Sequence, residues 1–423
     1  MNNWYLRNGW VDREGRIVRE DVLIVDGKTA AFGEEAAELR REAAVPVREY
    51  HAEGKLISHG FVDLHVHLRE PGYESKETIA SGTKAAAAGG FTLVYAMPNT
   101  NPPLDTLTRL DDLEKRIRQD AYVKVVPIAA ATRERAGRGL NDYAGFSNRG
   151  ITLFSDDGDP VEAEVITAVM EKLADLGGVL INHLEDKSLV NPGIFADSIP
   201  PESEYRMLER DLELVAKTNC RYHAAHLSCA ESVELIAQAK AAGLPVTAEV
   251  TPHHLTLTRD DITEPLGHFQ MKPPLRTHAD REALIEGVRT GIIDAIATDH
   301  APHGREKERG ISSNSPFGVT GLETAFPVLY TKLVKTGKLE LERLLRALTT
   351  GPGKVVAKDF NLAVGRPADL TVIDLELVRI VKPERFFSRG TNSPYIGETL
   401  EGWPVLTLVN GMEKYSASER GGW

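Results

Sequence analysis

A repeating rhythm constrains this chain more than any other feature. From Phe61 to Ala301, a short apolar, β-branched run is followed by turn residues and then by a longer amphipathic stretch, several times over. That alternation is the pattern of βα units on a parallel sheet. The candidate strands are Gly60–His67, Thr92–Met97, Val123–Ala129, Ile151–Phe154, Val179–Asn182, Tyr222–His226, Pro245–Val250 and Ile292–Ala297. Eight is the number that closes a TIM (β/α)8 barrel, so the expected class is α/β with such a barrel. Between the strands, Glu77–Ala88, Leu110–Gln119, Val161–Leu176, Glu204–Thr218, Ala230–Ala242 and Ala279–Thr290 have helical composition and spacing. Gly89-Gly90, Gly177-Gly178, Gly243 and Gly291 follow four of them, where a helix C-terminus places glycine.

The flanks read differently. Trp4–Gly33 and Asp369–Met412 carry short strand-like runs and glycine turns without a long helical pattern. Val22-Leu23-Ile24-Val25 and Leu370-Thr371-Val372-Ile373 are apolar runs bounded by polar or turn residues, as buried strands are. The expectation is a small β-sandwich domain built from both chain ends, residues 1–57 and 359–423, around a barrel of residues 58–358. A length of 423 residues accommodates that division.

Composition excludes several partners. The net charge of −12 spreads along the chain without a basic block, which argues against nucleic acid. No apolar run approaches the roughly 20 residues that span a bilayer, and the start Met1-Asn2-Asn3-Trp4 has no signal-peptide character. No membrane partner is expected, and the expected compartment is the cytoplasm. Cys220 and Cys229 fit a reducing compartment and read as small core residues.

Catalytic residues of a barrel sit at the C-terminal ends of its strands. Here strand one ends in Asp63-Leu64-His65-Val66-His67, strand four in Asp156-Asp157, strand five in His183, strand six in His226 and strand eight in Asp299. Residues two apart in a strand share a face, so His65 and His67 can reach one ion. Any one of these histidines alone reads as a structural residue. Together with the carboxylates at successive strand ends they read as a metal site, because a divalent cation removes the cost of grouping buried carboxylates. Imidazole and carboxylate without thiolate suits a catalytic zinc with a position open to water.

These residues resemble the metal-dependent amidohydrolases. The closer resemblance is to the bacterial class I dihydroorotases, carried by Asp63-Leu64-His65-Val66-His67-Leu68-Arg69-Glu70-Pro71-Gly72, Met97-Pro98-Asn99-Thr100, Phe154-Ser155-Asp156-Asp157-Gly158 and Ala297-Thr298-Asp299-His300-Ala301-Pro302-His303. The resemblance implies reversible cyclisation of N-carbamoyl-L-aspartate to L-dihydroorotate plus water, a step of pyrimidine biosynthesis. It implies one or two zinc ions per chain: His65, His67 and Asp299 on one, His183 and His226 on the other, Asp157 bridging. Asp299 is implied as general acid and base. Arg69, Asn99 and His303 match the family's carboxylate-binding positions, and a bidentate arginine suits that task. Pro316-Phe317-Gly318 matches its backbone contact to the pyrimidine ring. A homodimer and an association with aspartate carbamoyltransferase are also implied.

Three other histidines are set apart. His253 and His254 read as supporting or structural residues, and His300, next to Asp299, points to the opposite face. Lys272 stands where the family shows asparagine, at a position tied to ring recognition, and the segment between His183 and His226 is short for the family. Two alternatives stay open. One is another cyclic amidohydrolase, a hydantoinase, dihydropyrimidinase or allantoinase, which is disfavoured because Ile151–Gly158 contains no lysine to serve as a carboxylated bridge. The other is a silent homologue that partners aspartate carbamoyltransferase, against which stands the full ligand set.

Overall fold

The computed structural model describes residues 2–13, 15–42, 46–191, 198–264, 266–304 and 316–417. Both ends of the chain enter one mixed sheet. β1 (Trp4–Arg13), β2 (Arg16–Val25), β3 (Lys28–Phe32), β4 (Arg48–His51) and β5 (Leu56–His59) come from the N-terminal flank. The middle of the chain supplies β6 (Phe61–Val66), β7 (Phe91–Ala96), β8 (Lys124–Pro127), β9 (Ala129–Ala130), β10 (Leu153–Ser155), β11 (Val179–Asn182), β12 (Arg221–Ala224), β13 (Val246–Val250) and β14 (Ala295–Ile296). β15 (Leu370–Ile380), β16 (Thr399–Val409) and β17 (Met412–Ser416) follow. The end-built sheet runs β17-β16-β15-β5-β1-β2-β3, with β4 beside β1. The two ends meet where β15 pairs antiparallel with β5, Val372 opposite Ile57. Trp4, Leu6, Val22, Ile24 and Ile57 pack with Leu370, Val372, Leu406 and Leu408 in a core of their own. Apolar runs from both flanks thus bury one another, which neither could do alone.

The middle strands are all parallel, in the orders β6-β7-β8 and β9-β10-β11-β12-β13-β14. β8 and β9 are pieces of one strand interrupted at Ile128, whose N–H donates to Ala96 at 2.9 Å. A parallel bridge between Val66 and His300, with His67 N–H donating to His300 O at 2.9 Å, ties the segment after β14 back to β6. Val62, Leu64, Leu93, Tyr95, Leu153, Val179, Ile181, Ala295 and Ala297 form one cluster from strands around the whole set. Helix-facing residues such as Phe61, Val94, Ile166, Leu208 and Ile236 form another. The result is a mixed α/β fold with strands covered on both faces.

The six helices that the periodicity places are present, with local reasons for their ends, and Gly33–Glu42, Leu341–Leu348 and Thr350–Val356 are among further helices that it does not mark. Thr78 with Ser81 and Thr277 with Asp280 make capping boxes at the starts of Ile79–Ala88 and His278–Thr290. Gly177 at φ 67° and Gly291 at φ 88° end their helices in left-handed turns. Gly89 serves differently: its φ is −82°, but a Cβ there would stand 2.0 Å from the Leu322 carbonyl oxygen. The last strand is much shorter than its apolar run predicts. Ile293 N–H bonds to Gly287 O, the Ile293 carbonyl accepts from Arg343 and the Ile292 carbonyl from Lys240, so bonding to β13 starts only at Asp294 N–H and the strand is Ala295–Ile296. Among the described residues no helix is long and apolar enough to cross a membrane.

Candidate functional site

The strands deliver His65, His67, Asp157, His183, His226 and Asp299 to one end of the parallel set. His65 Nε2 is 3.3 Å from Asp157 Oδ1 and 3.6 Å from Asp299 Oδ1. His67 Nε2 is 2.9 Å from Asp299 Oδ1 and 3.5 Å from Asp157 Oδ2. His226 Nε2 and His183 Nδ1 approach Asp157 Oδ1 to 3.5 and 3.6 Å, and each other to 3.0 Å. Two groups can each hold a metal ion, His65 with Asp157 and His226, and His65 with His67 and Asp299. His65 belongs to both, a sharing that spacing alone does not give.

Local backbone explains how these side chains are aimed. The β6–β7 register shifts between Asp63 and Val66, and His65 and His67 still reach one group with Asp299, as alternation along the strand predicts. Arg69, His226 and Asp299 have φ of 61°, 32° and 46°. Such left-handed conformations cost a non-glycine residue about 1–3 kcal/mol and cluster at functional sites. The surroundings hold them: next to Asp299, Thr298 donates its backbone N–H and its hydroxyl to the Asp63 carboxylate. Just past the end of β10, Asp156 and Asp157 point to different surroundings. The Asp156 carboxylate accepts from Thr132 N–H and hydroxyl, away from the cluster, while Asp157 faces the imidazoles.

Electrostatics and satisfaction of polar atoms test whether a cation fits. Burial raises the Asp157 carboxyl, but His65 first, with His183 and His226 close by, brings it well below the usual carboxylate range. Asp299 is lowered in the same way, burial being outweighed by His65 and His67. Burial disfavours the His65 imidazolium, yet Asp157 and Asp299 hold its pKa well above the ordinary value. In His67 burial prevails and the pKa is lowered. Both carboxylates are therefore anionic at neutral pH in an enclosed space. His65 Nε2, Asp157 Oδ1 and His183 Nε2 are buried without a hydrogen-bond partner. Buried polar atoms are seldom left so, and a set of nitrogen and carboxylate oxygen donors with unused lone pairs is what a divalent metal takes.

A cavity of about 210 Å³ opens onto this cluster. Its wall comprises Asn99, Arg69, Lys272, Phe317, Gly318, Ala301 and Gly158, with His67, Asp157, His183, His226 and Asp299 as its floor. Drug-sized ligand pockets start at roughly 300 Å³, so this one suits a small polar metabolite. Burial lowers the Arg69 guanidinium to about 10, which still leaves it cationic at neutral pH. Asn99 Oδ1 lies 2.9 Å from His67 Nδ1, which turns its amide N–H groups to other acceptors. Lys272 Nζ donates to Glu185 Oε1 at 2.9 Å and sits 4.8 Å from the centre of the Phe317 ring.

His303 is placed differently from its expected companions. Lys76 Nζ donates to its Nδ1 at 3.1 Å, so Nε2 carries the proton and donates to the Phe317 carbonyl at 2.7 Å. It stands behind Arg69, whose Nη2 is 3.3 Å away, and outside the cavity wall. His300 turns away from the cluster to Glu77, 3.2 Å from its Nε2, and His254 is held by Thr251 and the Pro273 carbonyl.

Sequence reasoning missed Asp63, which fixes Thr298, and it missed Glu249 and His223 behind His65. A signal was present, since Glu249 is an acidic residue within the apolar run Val246–Val250 and is 1% exposed. Such a residue needs a buried partner.

Comparison with known proteins shows what the chain as a whole resembles. A family model described as "Dihydro-orotase-like" matches residues 54–232. A dihydroorotase of Geobacillus sp. (strain WCH70) is 47% identical over 420 residues, covering 96% of this chain and 97% of that one. A dihydroorotase of Bacillus cytotoxicus is 45% identical over 423 residues, covering 97% of each. Among solved structures, the L-hydantoinase (dihydropyrimidinase) of Arthrobacter aurescens superposes with a TM-score of 0.88 at 26% identity, over 98% of this chain and 96% of that one. The dihydropyrimidinase of Brevibacillus agri NCHU1002 gives 0.87 at 23%, over 98% and 95%, a likeness of fold.

Proposed function

This chain belongs to the dihydroorotase family, and from that premise we propose how its residues carry out the reaction. The protein is a cyclic amide hydrolase that interconverts N-carbamoyl-L-aspartate and L-dihydroorotate. The observation that carries the site reading is the convergence of four imidazoles and two carboxylates, with three unpartnered buried atoms, at the base of a cavity walled by Arg69, His65 lying just beneath its floor.

We read the parallel strands as a closed (β/α)8 barrel of residues 58–358, supported by the Val66–His300 bridge. The end-built sheet is read as the small β-sandwich domain of residues 1–57 and 359–423. The metal is read as zinc, one or two ions, with His65, His67 and Asp299 on one side, His183 and His226 on the other and Asp157 between. Zinc there supplies the Lewis acidity that water activation and a polarised carbonyl require. In the hydrolytic direction Asp299 takes the proton of the attacking water and delivers it to the ring nitrogen as the C–N bond breaks. In cyclisation Asp299 removes the ureido N–H proton as that nitrogen attacks the carbon of the protonated side-chain carboxyl group, and passes it to the departing hydroxyl, which leaves as water. Each direction returns Asp299 to its ionised form.

Arg69 grips the substrate's fixed carboxylate, and Asn99 adds an amide donor while its oxygen holds His67. His303 supports the clamp from behind, through Arg69 and the Phe317 carbonyl. Phe317, Gly318 and Lys272 face the ring. Buried Cys220 and Cys229, with no disulfide between them, support a cytoplasmic reading. A homodimer and an association with aspartate carbamoyltransferase enter the proposal on the family resemblance.

The deciding experiment is turnover of purified protein on dihydroorotate against hydantoin and allantoin. Preference for either of the latter would overturn the substrate assignment. Arg69→Lys keeps the charge but loses the planar fork, so affinity for dihydroorotate should fall by roughly ten- to a hundredfold, one hydrogen bond to a charged group being worth about 1.5–3 kcal/mol. Equal affinity in the variant, measured by KM and inhibitor binding, removes Arg69 from the clamp.

Lys272 tests whether the departure at this position alters the substrate. An ammonium donates to a ring carbonyl but cannot accept from a ring N–H as an asparagine can. Lys272→Asn should leave turnover within about tenfold of the parent, and raised rather than lowered, since one neutral hydrogen bond is at stake. Stability should fall by about 1–3 kcal/mol, because Glu185, 3% exposed, loses its cation. A collapse of turnover in a folded variant would make Lys272 substrate-defining and bring the other cyclic amides forward.

A further inference from the structure

His65 is the imidazole shared by both metal-holding groups, and it is backed differently from His67. Behind His67 stands a neutral amide, Asn99 Oδ1, at 2.9 Å. Behind His65 stands a carboxylate, Glu249 Oε1, 2.8 Å from Nδ1, with both residues 1% exposed or less. The other oxygen of Glu249 is 3.1 Å from His223 Nε2, and His223 Nδ1 is in turn 2.8 Å from Thr247 Oγ1. β12 and β13 set this chain of contacts side by side, with His223 opposite Thr247 in the ladder. None of these three groups borders the cavity.

We infer that Glu249, itself fixed by His223 and Thr247, is a positioning residue that sets the ring orientation and tautomer of His65 and makes it a stronger metal donor than His67. An ionised carboxylate only accepts, so His65 carries a proton on Nδ1 and leaves Nε2, beside Asp157 and Asp299, as the atom that would give its lone pair to a bound metal. The negative charge behind the ring raises the basicity of that lone pair, and the buried setting strengthens the effect. Because His65 Nε2 lies 3.3 Å from Asp157 and 3.6 Å from Asp299, one pair of buried residues acts on the metal position that those carboxylates share. The inference rests on the metal-site reading proposed above.

The test measures metal affinity of folded protein, which a merely structural role would not move. Glu249→Gln preserves shape and one acceptor but removes the charge. His223→Asn leaves Glu249 in place but loosens it, and serves if Glu249→Gln does not fold. Zinc dissociation constants would be read by competition with a chromophoric chelator, and cobalt(II) absorption would report the ligand field. Glu249→Gln should bind zinc about 10–100-fold more weakly, with His223→Asn between it and the parent, and both should shift the cobalt spectrum. Parent-like affinity and spectrum in either folded variant overturns the inference while leaving the ligand set standing. A parent protein that binds neither ion overturns the site reading, and the inference with it.

Discussion

Asp299→Asn should keep the fold and lose turnover of dihydroorotate by roughly 10²–10⁴-fold, the contribution of a positioned acid and base. The substitution is nearly isosteric, and asparagine is among the few residues that tolerate the left-handed backbone this position requires, at φ 46°. The amide oxygen can still take the place of Asp299 Oδ1, 2.9 Å from His67 Nε2. What disappears is a carboxylate held well within its ionised range by His65 and His67, and with it the proton carrier between water and ring nitrogen. Turnover, unfolding midpoint and bound metal should be measured on one preparation, so that a lost ion is told apart from a lost base. Unchanged turnover in a folded, metal-loaded variant would remove Asp299 from the proton path.

Removal of metal should have the other large effect. The parent should purify with one to two zinc ions per chain, fall to the uncatalysed rate after chelation and recover on adding zinc. Asp157→Ala should lose at least one equivalent of metal, because Asp157 faces His65, His67, His183 and His226 together. Stability should follow occupancy: a ligand present at a thousandfold above its dissociation constant stabilises the folded state by about 4 kcal/mol. Chelation should therefore lower the melting temperature as well as the rate. Full turnover by protein shown to be free of metal would end the assignment.

Much of this protein is determined by sequence alone because the signals are local. Apolar runs such as Val179–Asn182 and amphipathic stretches such as Glu204–Thr218 place strands and helices to within a few residues. The barrel rule then locates His65, His67, Asp157, His183, His226 and Asp299 at one end of the sheet, since all that matters is which residue closes each strand. The resemblance to a family, carried by contiguous motifs, is equally local.

The tertiary structure decided whatever depends on a partner far away in the chain. His65 meets Glu249 across 184 positions, and no periodicity marks that pair. Lys272 faces Glu185 across 87 positions, which ties the departure from the family pattern to a buried counter-charge. His303 could be read as a wall residue until Lys76 and the Phe317 carbonyl were seen to claim both ring nitrogens. The last strand shrinks to Ala295–Ile296 because Arg343, Lys240 and the Gly287 carbonyl take up neighbouring backbone groups. Periodicity reports which face of an element is buried. Which polar group a buried atom finds there is fixed only when the whole chain has closed around it, since each such group must be paired.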